Sequence, residues 1–465
     1  MWEIHRSSTT RLARWTERGS AARPPHRSHR RRLTLEPLEG RALLSLTTWT
    51  VNSLGDSGAG TGTSGDLRYV ITQADKTTGD NTINFAVTGT ITLNSALPDL
   101  RNTTGVTDIE GPGANLLTVS GNNSVRPFTV DIGVTASLTG LNISGGSGGG
   151  YGGGIYNAGT LTVTNCTIDN SFADWDGGGI FSDGAMTVTN STIDDNSTFN
   201  SGDGGGIYNG GTLTVTNSTI DDNSSSNGGG IYYEGTLTVA SSSIYNNRGG
   251  YGGGINGSGA LTVTNTSIYD NSAGFGAGMI CGSGPVTVAN SSIYDNSAPY
   301  DSGNGGGIYN VGTMTVTNST IDNNSAWVGG GIYNPGTLTI NNSTIADNSA
   351  GSFGGGGIDN WGTLTINNST IADNSATNWG GGIDTWSGVL TVINSTIADN
   401  SAGSLGGGLD NRGGVLTVIN STIADNSAGT GGGLWANGLT TRLDNTLIAL
   451  NTNGDVTLGN VGTVS

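Results

Sequence analysis

The sequence is poor in the side chains that do most protein chemistry. All three histidines (His5, His26, His29) lie within residues 1–45, and after Lys76 there is no lysine. Histidine is therefore excluded as an acid or base over most of the chain, and lysine after position 76. Two cysteines, Cys166 and Cys281, provide neither a disulfide framework nor a zinc cluster. No apolar run approaches the roughly 20 residues that span a bilayer, so no transmembrane segment is expected.

Positive charge is also scarce, except at one end. Residues 1–45 hold ten Arg and four Glu, a net of +6; the remainder holds seven Lys+Arg and 31 Asp+Glu, a net of −24, and the two sum to the chain's −18. An acidic body repels phosphates, so no nucleic-acid partner is expected. The basic head, with Arg30-Arg31-Arg32, has the composition of a targeting or leader segment but lacks the apolar core of a secretory signal.

What is abundant is glycine, 83 of 465 residues, and repetition. The stretch GGGIYNGGTLTVTNSTIDDNS, residues 204–224, returns in close copies down the chain. The residue closing each glycine run falls at Ile155, Ile180, Ile207, Ile231, Ile255, Met279, Ile308, Ile332, Ile358, Ile383, Leu409 and Leu434. The spacings are 25, 27, 24, 24, 24, 29, 24, 26, 25, 26 and 25. Twelve units of three short β-like runs predict a solenoid. Length varies mainly between the DNS and GGG segments, which places insertions in one loop of the coil.

In TLTVTN, Leu213 and Val215 share one strand face, and Thr212, Thr214 and Thr216 share the other. One coil cannot bury its apolar pair alone. Coils stacked at about 4.8 Å can, with like residues aligned in ladders, which requires each coil to be nearly its neighbour's copy. Asn165, Asn190 and Asn217 after the second run, and Asn170, Asn196 and Asn223 after the third, are expected at tight corners and in stacked amide rows. The bias of parallel connections predicts a right-handed winding.

The fold class expected is all-β: a right-handed parallel β-helix of three-strand coils of about 25 residues, with an N-terminal cap holding one short helix. Residues 1–46 form a basic leader, 47–88 the cap, 89–450 the β-helix (irregular to about 144), and 451–465 a tail or partial cap. In the cap, Leu67, Val70, Ile71 and Ala74 share one helical face behind the N-cap candidate Asp66.

Three resemblances add to this reading. LEPLEGRALLS, Leu35–Ser45, resembles the LEPR-XLL motif of large bacterial surface proteins, with Leu38 in place of the motif's Arg. Residues 47–87 are similar to the CSLREA-type segment that precedes β-helix repeats, without its Cys. The GGGIYN…TLTVTNSTI units resemble polymorphic outer-membrane protein repeats and related right-handed β-helices over about residues 90–450. Together they imply export to the envelope or outside, with a surface scaffold or adhesin-like role.

Two outward stripes are candidates for binding. Tyr156, Phe181, Tyr208, Tyr232, Tyr309 and Tyr333 follow the first-run aliphatic residue, so they should point out and stack. They could hold a polysaccharide, with Trp175, Trp327, Phe353 and Trp379 in nearby loops; cross-strand packing is the alternative. The middle threonines, from Thr162 through Thr238 and Thr262 to Thr417, form a flat T-x-T lattice that resembles ice-binding β-solenoids.

Right-handed β-helices also include pectate lyases and polygalacturonases, so a lyase or glycoside hydrolase is the enzymatic alternative. It calls for residues that break the repeat. Asp194-Asp195 and Asp221-Asp222 do not, since they belong to the repeating turn, and stacked Asp347, Asp373, Asp399 and Asp425 suit solvated corners. No catalytic residue, metal site or cofactor is assigned, and the sequence leans away from an enzyme. An unpaired last strand would leave an edge open to end-to-end self-association.

Overall fold

The structure, a computed structural model, describes residues 46–199, 201–299 and 302–459 and the backbone of 463–464. The basic leader and LEPLEGRALLS lie outside the described residues. The chain from Thr47 on winds as a parallel β-helix. Its second sheet begins with Thr47–Val51 and runs through Asn81–Phe85, Val106–Glu110 and Thr135–Thr139 into the TLTVT strands, ending at Thr463–Val464. The third sheet has 15 strands, from Gly89–Thr92 to Leu447–Ala449, and the first has 14, from Phe128–Val130 to Val456–Leu458.

Register is strict. Leu213 pairs with Met186 on one side and Leu237 on the other, and Thr214 with Thr187 and Thr238. Leu213, Val215, Ile207 and Ile220 are fully buried, so the alternation read from the sequence sets the inside of each coil. The one helix among the described residues, α1 (Leu67–Ala74), buries Leu67, Val70, Ile71 and Ala74. Asp66 caps it by accepting the Tyr69 N–H at 2.9 Å.

The triple glycine has a mechanical reason. Gly204 sits at φ 67°, and a Cβ on Gly206 would lie 2.7 Å from the Gly230 carbonyl oxygen of the next coil.

Two details depart from the sequence reading. Each coil was expected to hold three strands, but a short fourth sheet runs from Ser297–Ala298 through Ser325–Ala326, Ser349–Ala350 and Ser375–Ala376 to Ser401–Ala402. Two-residue Ser-Ala strands carry no alternation to read. Second, Asn170 does not share a column with Asn196 and Asn223. Asn170 turns the corner at φ 50°, as do Asp195 and Asp222, while Asn196 and Asn223 come one residue later and are buried.

That later column is an internal ladder. From Asn196 to Asn426, each asparagine's backbone N–H and Nδ2 both donate to the Oδ1 of the next coil's asparagine. For Asn296 onto Asn324 the distances are 3.0 and 2.9 Å. Nδ2 of Asn296 also donates to the Ile268 and Tyr294 carbonyls, each at 2.9 Å. After Asn451 the Asp455 carboxylate takes the next asparagine's place, accepting from N at 3.0 Å and Nδ2 at 2.9 Å. A parallel hydroxyl ladder runs from Ser191 through Ser218, Ser242, Thr266 and Ser291 to Ser421.

A buried donor left unpaired costs about 1–3 kcal/mol. Asn296→Ala removes the acceptor of the Asn271 N–H and Nδ2 and the side-chain donor of two carbonyls, while Asn324 Oδ1 keeps only the backbone N–H of residue 296, so it should cost about 3 kcal/mol or more in chemical denaturation. Asn318→Ala, at an exposed φ 50° corner, should cost about 1 kcal/mol.

Candidate functional site

The outer face of the first sheet gathers the six aromatic candidates into a single column. Register runs Tyr156, Phe181, Tyr208, Tyr232, Asn256, Ile280, Tyr309, Tyr333, Asp359, Asp384, Asp410, Trp435, each directly across from the next. Tyr156, Phe181 and Tyr208 stack nearly parallel, with centroids 5.3 and 4.7 Å apart, and Tyr232 continues the pile at 5.6 Å. Their faces are spent on one another, which leaves rims and hydroxyls for a ligand. Phe181 is only 6% exposed, covered by Tyr151 at 4.7 Å. Exposed aromatic side chains lie beside the column instead, at Trp175, Tyr251, Phe353 and Trp361.

Three clefts follow this side of the coil. One of about 580 Å³ lies among Tyr151, Trp175 and Phe199. A second, of about 430 Å³, opens where the column falls to Asn256 and Ile280, between Tyr232, Tyr251 and Tyr309. A third, of about 230 Å³, is bounded by Tyr333, Phe353, Trp361 and Trp386 over Asp359.

Sequence reasoning missed a buried aspartate column whose first member, Asp359, lines this third cleft. Asp359, Asp384 and Asp410 occupy the tyrosine column in three successive coils and are buried to 0%, 0% and 1% exposure. Two residues after each stands the covering side chain: Trp361, Trp386 and Arg412. The two indoles stack at 5.2 Å, and the Arg412 guanidinium lies 4.7 Å from the Trp386 ring and 3.5 Å from Trp379. Arg412 donates to Asp410 Oδ2 at 2.9 and 3.1 Å and reaches Asp384 at 3.6 Å. A Cβ on Gly354 would overlap the Asp384 carboxylate, so glycine is what lets the loop close over it.

Charge is poorly balanced here. Neither oxygen of Asp359 has a partner of full hydrogen-bond geometry, and the Trp361 side chain acts on its carboxyl as a donor that opposes the effect of burial. Burial, and then the neighbouring Asp384, holds the Asp359 carboxyl well above the usual range. Burial and Asp410 do the same to Asp384, while burial opposed by Arg412 pushes Asp410 up to about 6.

The residues weighed earlier for acid chemistry lie elsewhere. Asp347, Asp373, Asp399 and Asp425 are exposed corners at positive φ, and Asp195 and Asp222 turn the same corner. Among the described residues no group of three or more His, Cys, Asp or Glu is arranged to hold a metal ion. Cys166 and Cys281 are buried free thiols, and no described helix is long and apolar enough to cross a membrane.

A model of the right-handed β-helix region matches residues 79–236, 151–326 and 231–397, together more than half of the chain. The chain belongs to the right-handed β-helix family. The right-handed winding of the coils is thereby shown, as the sequence led one to expect. No curated protein matches the chain. Among solved structures, the A-module of mannuronan C-5 epimerase AlgE6 from Azotobacter vinelandii is similar at 11% identity and a TM-score of 0.26, covering 88% of this chain and 97% of the module. A likeness that loose carries no argument about what this β-helix does.

The aspartate column makes a pH prediction. These carboxyls titrate higher in the folded chain than the ordinary value of about 3.9 in the unfolded one, so the folded state holds more protons between those values. Their stabilising contribution is complete below about pH 4 and is lost as pH rises above the ordinary carboxylate range, through about 6 for Asp410. Asp384→Asn should therefore flatten the fall in denaturation midpoint between pH 5 and pH 8 and leave the variant the more stable form at pH 8. An unchanged slope would mean that these carboxyls ionise freely.

Proposed function

We propose that this right-handed β-helix is an exported bacterial surface or extracellular scaffold of adhesin-like type that binds polysaccharide along the outer face of its first sheet. The observation that carries the reading is the row of clefts edged by exposed aromatic side chains on one face. Sugar rings present apolar faces to such side chains, and a repeating surface suits a repeating ligand. Secretion or cell-surface display fits the resemblance of its repeats to outer-membrane protein repeats.

The test is a glycan-array screen of the purified chain, followed by titration of any hit. Tyr251→Ala, which removes a wall of the second cleft, should weaken binding about tenfold, equivalent to about 1.4 kcal/mol of lost contact, and leave the melting temperature within a few degrees. Silence across the array would leave a scaffold without a sugar ligand.

A second reading, a glycoside-processing enzyme, is favoured by one observation. The column Asp359, Asp384, Asp410 breaks the repeat with perturbed carboxyls beside a cleft. Release of reducing ends or unsaturated products from a bound glycan, abolished in Asp359→Asn, would establish it.

A further inference from the structure

The third cleft contains a contradiction that a specific ligand would remove. Asp359 is fully buried, neither of its oxygens has a hydrogen bond of full geometry, the Trp361 side chain is the one donor side chain acting on it, and it lines a cavity of about 230 Å³. Burying a polar group without partners is costly, and burying a carboxyl beside two others more so. The one cation among the described residues of this cluster, Arg412, is committed to Asp410 at 2.9 Å and Asp384 at 3.6 Å. Asp359, at the other end of the column, has no direct ion pair with Arg412 and feels its charge only at a distance.

The walls narrow the chemistry. Tyr333, Phe353, Trp361 and Trp386 enclose the space above Asp359. Aromatic faces around a carboxylate attract a cation through their quadrupoles and shed its hydration at little loss. The structure already holds one example of the arrangement. Two coils on, the Arg412 guanidinium lies between a carboxylate and the rings of Trp379 and Trp386, 3.5 and 4.7 Å from their centroids. Trp386 borders both places, so one aromatic wall serves the Arg412 position and the cleft over Asp359. A metal ion is disfavoured by the same geometry, because the carboxylates lie in a column and do not converge.

We propose that the Asp359 cleft binds an organic ammonium group, the amine of a 2-amino sugar within a polysaccharide lying on the first sheet. The sugar part of this proposal rests on the glycan-binding reading above; the ammonium part rests on the cleft alone. The volume suits one pyranose residue. The pyranose ring would lie against Trp361 or Phe353, with its ammonium directed at Asp359. Burial and the neighbouring Asp384 favour the neutral form of the Asp359 carboxyl, so capture of an ammonium ion, which favours the carboxylate, should be coupled to proton release. Affinity should therefore rise with pH for as long as the amine itself stays charged.

The test is isothermal titration of the full chain with three hexasaccharides, those of glucosamine, N-acetylglucosamine and glucose, and with tetramethylammonium. The expected result is at least tenfold tighter binding of the glucosamine oligomer than of the other two, with proton release seen as a dependence of the heat on buffer ionisation. Asp359→Asn should abolish that preference and the proton release that goes with it. Trp361→Ala, at an exposed side chain that can be lost without unfolding, should weaken the glucosamine oligomer about tenfold. Equal affinity for all three oligomers, or a preference that survives in Asp359→Asn, would overturn the ammonium site and leave the glycan surface standing. Asp359-dependent binding of tetramethylammonium with no oligosaccharide bound would uphold the ammonium site and remove the glycan reading. Binding of none of the four would overturn the proposal.

Discussion

Each coil of this molecule is completed by the next. The backbone N–H and Nδ2 of a buried asparagine converge on one Oδ1 in the following coil, and that asparagine repeats the act. A hydroxyl column does the same work at the preceding corner. Such groups are expensive to bury unless every one is paired, and here pairing is available only in strict register. The constraint explains why the sequence is so nearly periodic. A coil that moved its asparagine by one position would leave buried polar groups on both of its neighbours unpaired.

Periodicity in turn makes departures informative. The inner columns that begin each first-sheet strand and line the second and third sheets hold mostly Ile, Leu, Val and Met, while the outer positions vary coil by coil. On the first sheet the outer column runs from stacked aromatics, through a gap at Asn256 and Ile280, to two tyrosines and then three buried aspartates. Nothing in the ladder demands carboxylates there. Their desolvation is a local loss of stability, tolerated because some fifteen coils of apolar core and backbone pairing surround it. The roof of Trp361, Trp386 and Arg412 copies the same logic one step outward, as a stack laid over a stack.

Much of this was legible in the residues. The alternation at Leu213 and Val215, the Asp66 cap on α1 and the single column of aromatic candidates follow from period and spacing alone. The fourth sheet was not legible, because Ser-Ala pairs have no face to alternate. The asparagine ladder was partly misplaced because the first coil reads TIDNS where the next two read TIDDNS, and only the backbone shows which residue turns the corner. The aspartate column was visible as letters, in GGGIDNW, GGGIDTW and GGGLDNR, where Asp replaces Tyr and Trp or Arg follows two residues later. What the letters do not give is that the loop at Phe353 and Gly354 folds over those carboxyls. Solvation of an outward residue depends on insertions that the repeat does not specify.

The central claim is that equivalent residues pile in register about one axis, and a distance measurement tests it most directly. Thr187 and Thr315 stand in one outer column of the second sheet, separated by Thr214, Thr238, Thr262 and Thr287. Spin labels on cysteines at those two positions should give a narrow distance distribution centred near five strand spacings, about 24 Å. A broad distribution, or a narrow one far from that value, would contradict the stacked register on which the aromatic column, the aspartate column and the cleft between them all depend.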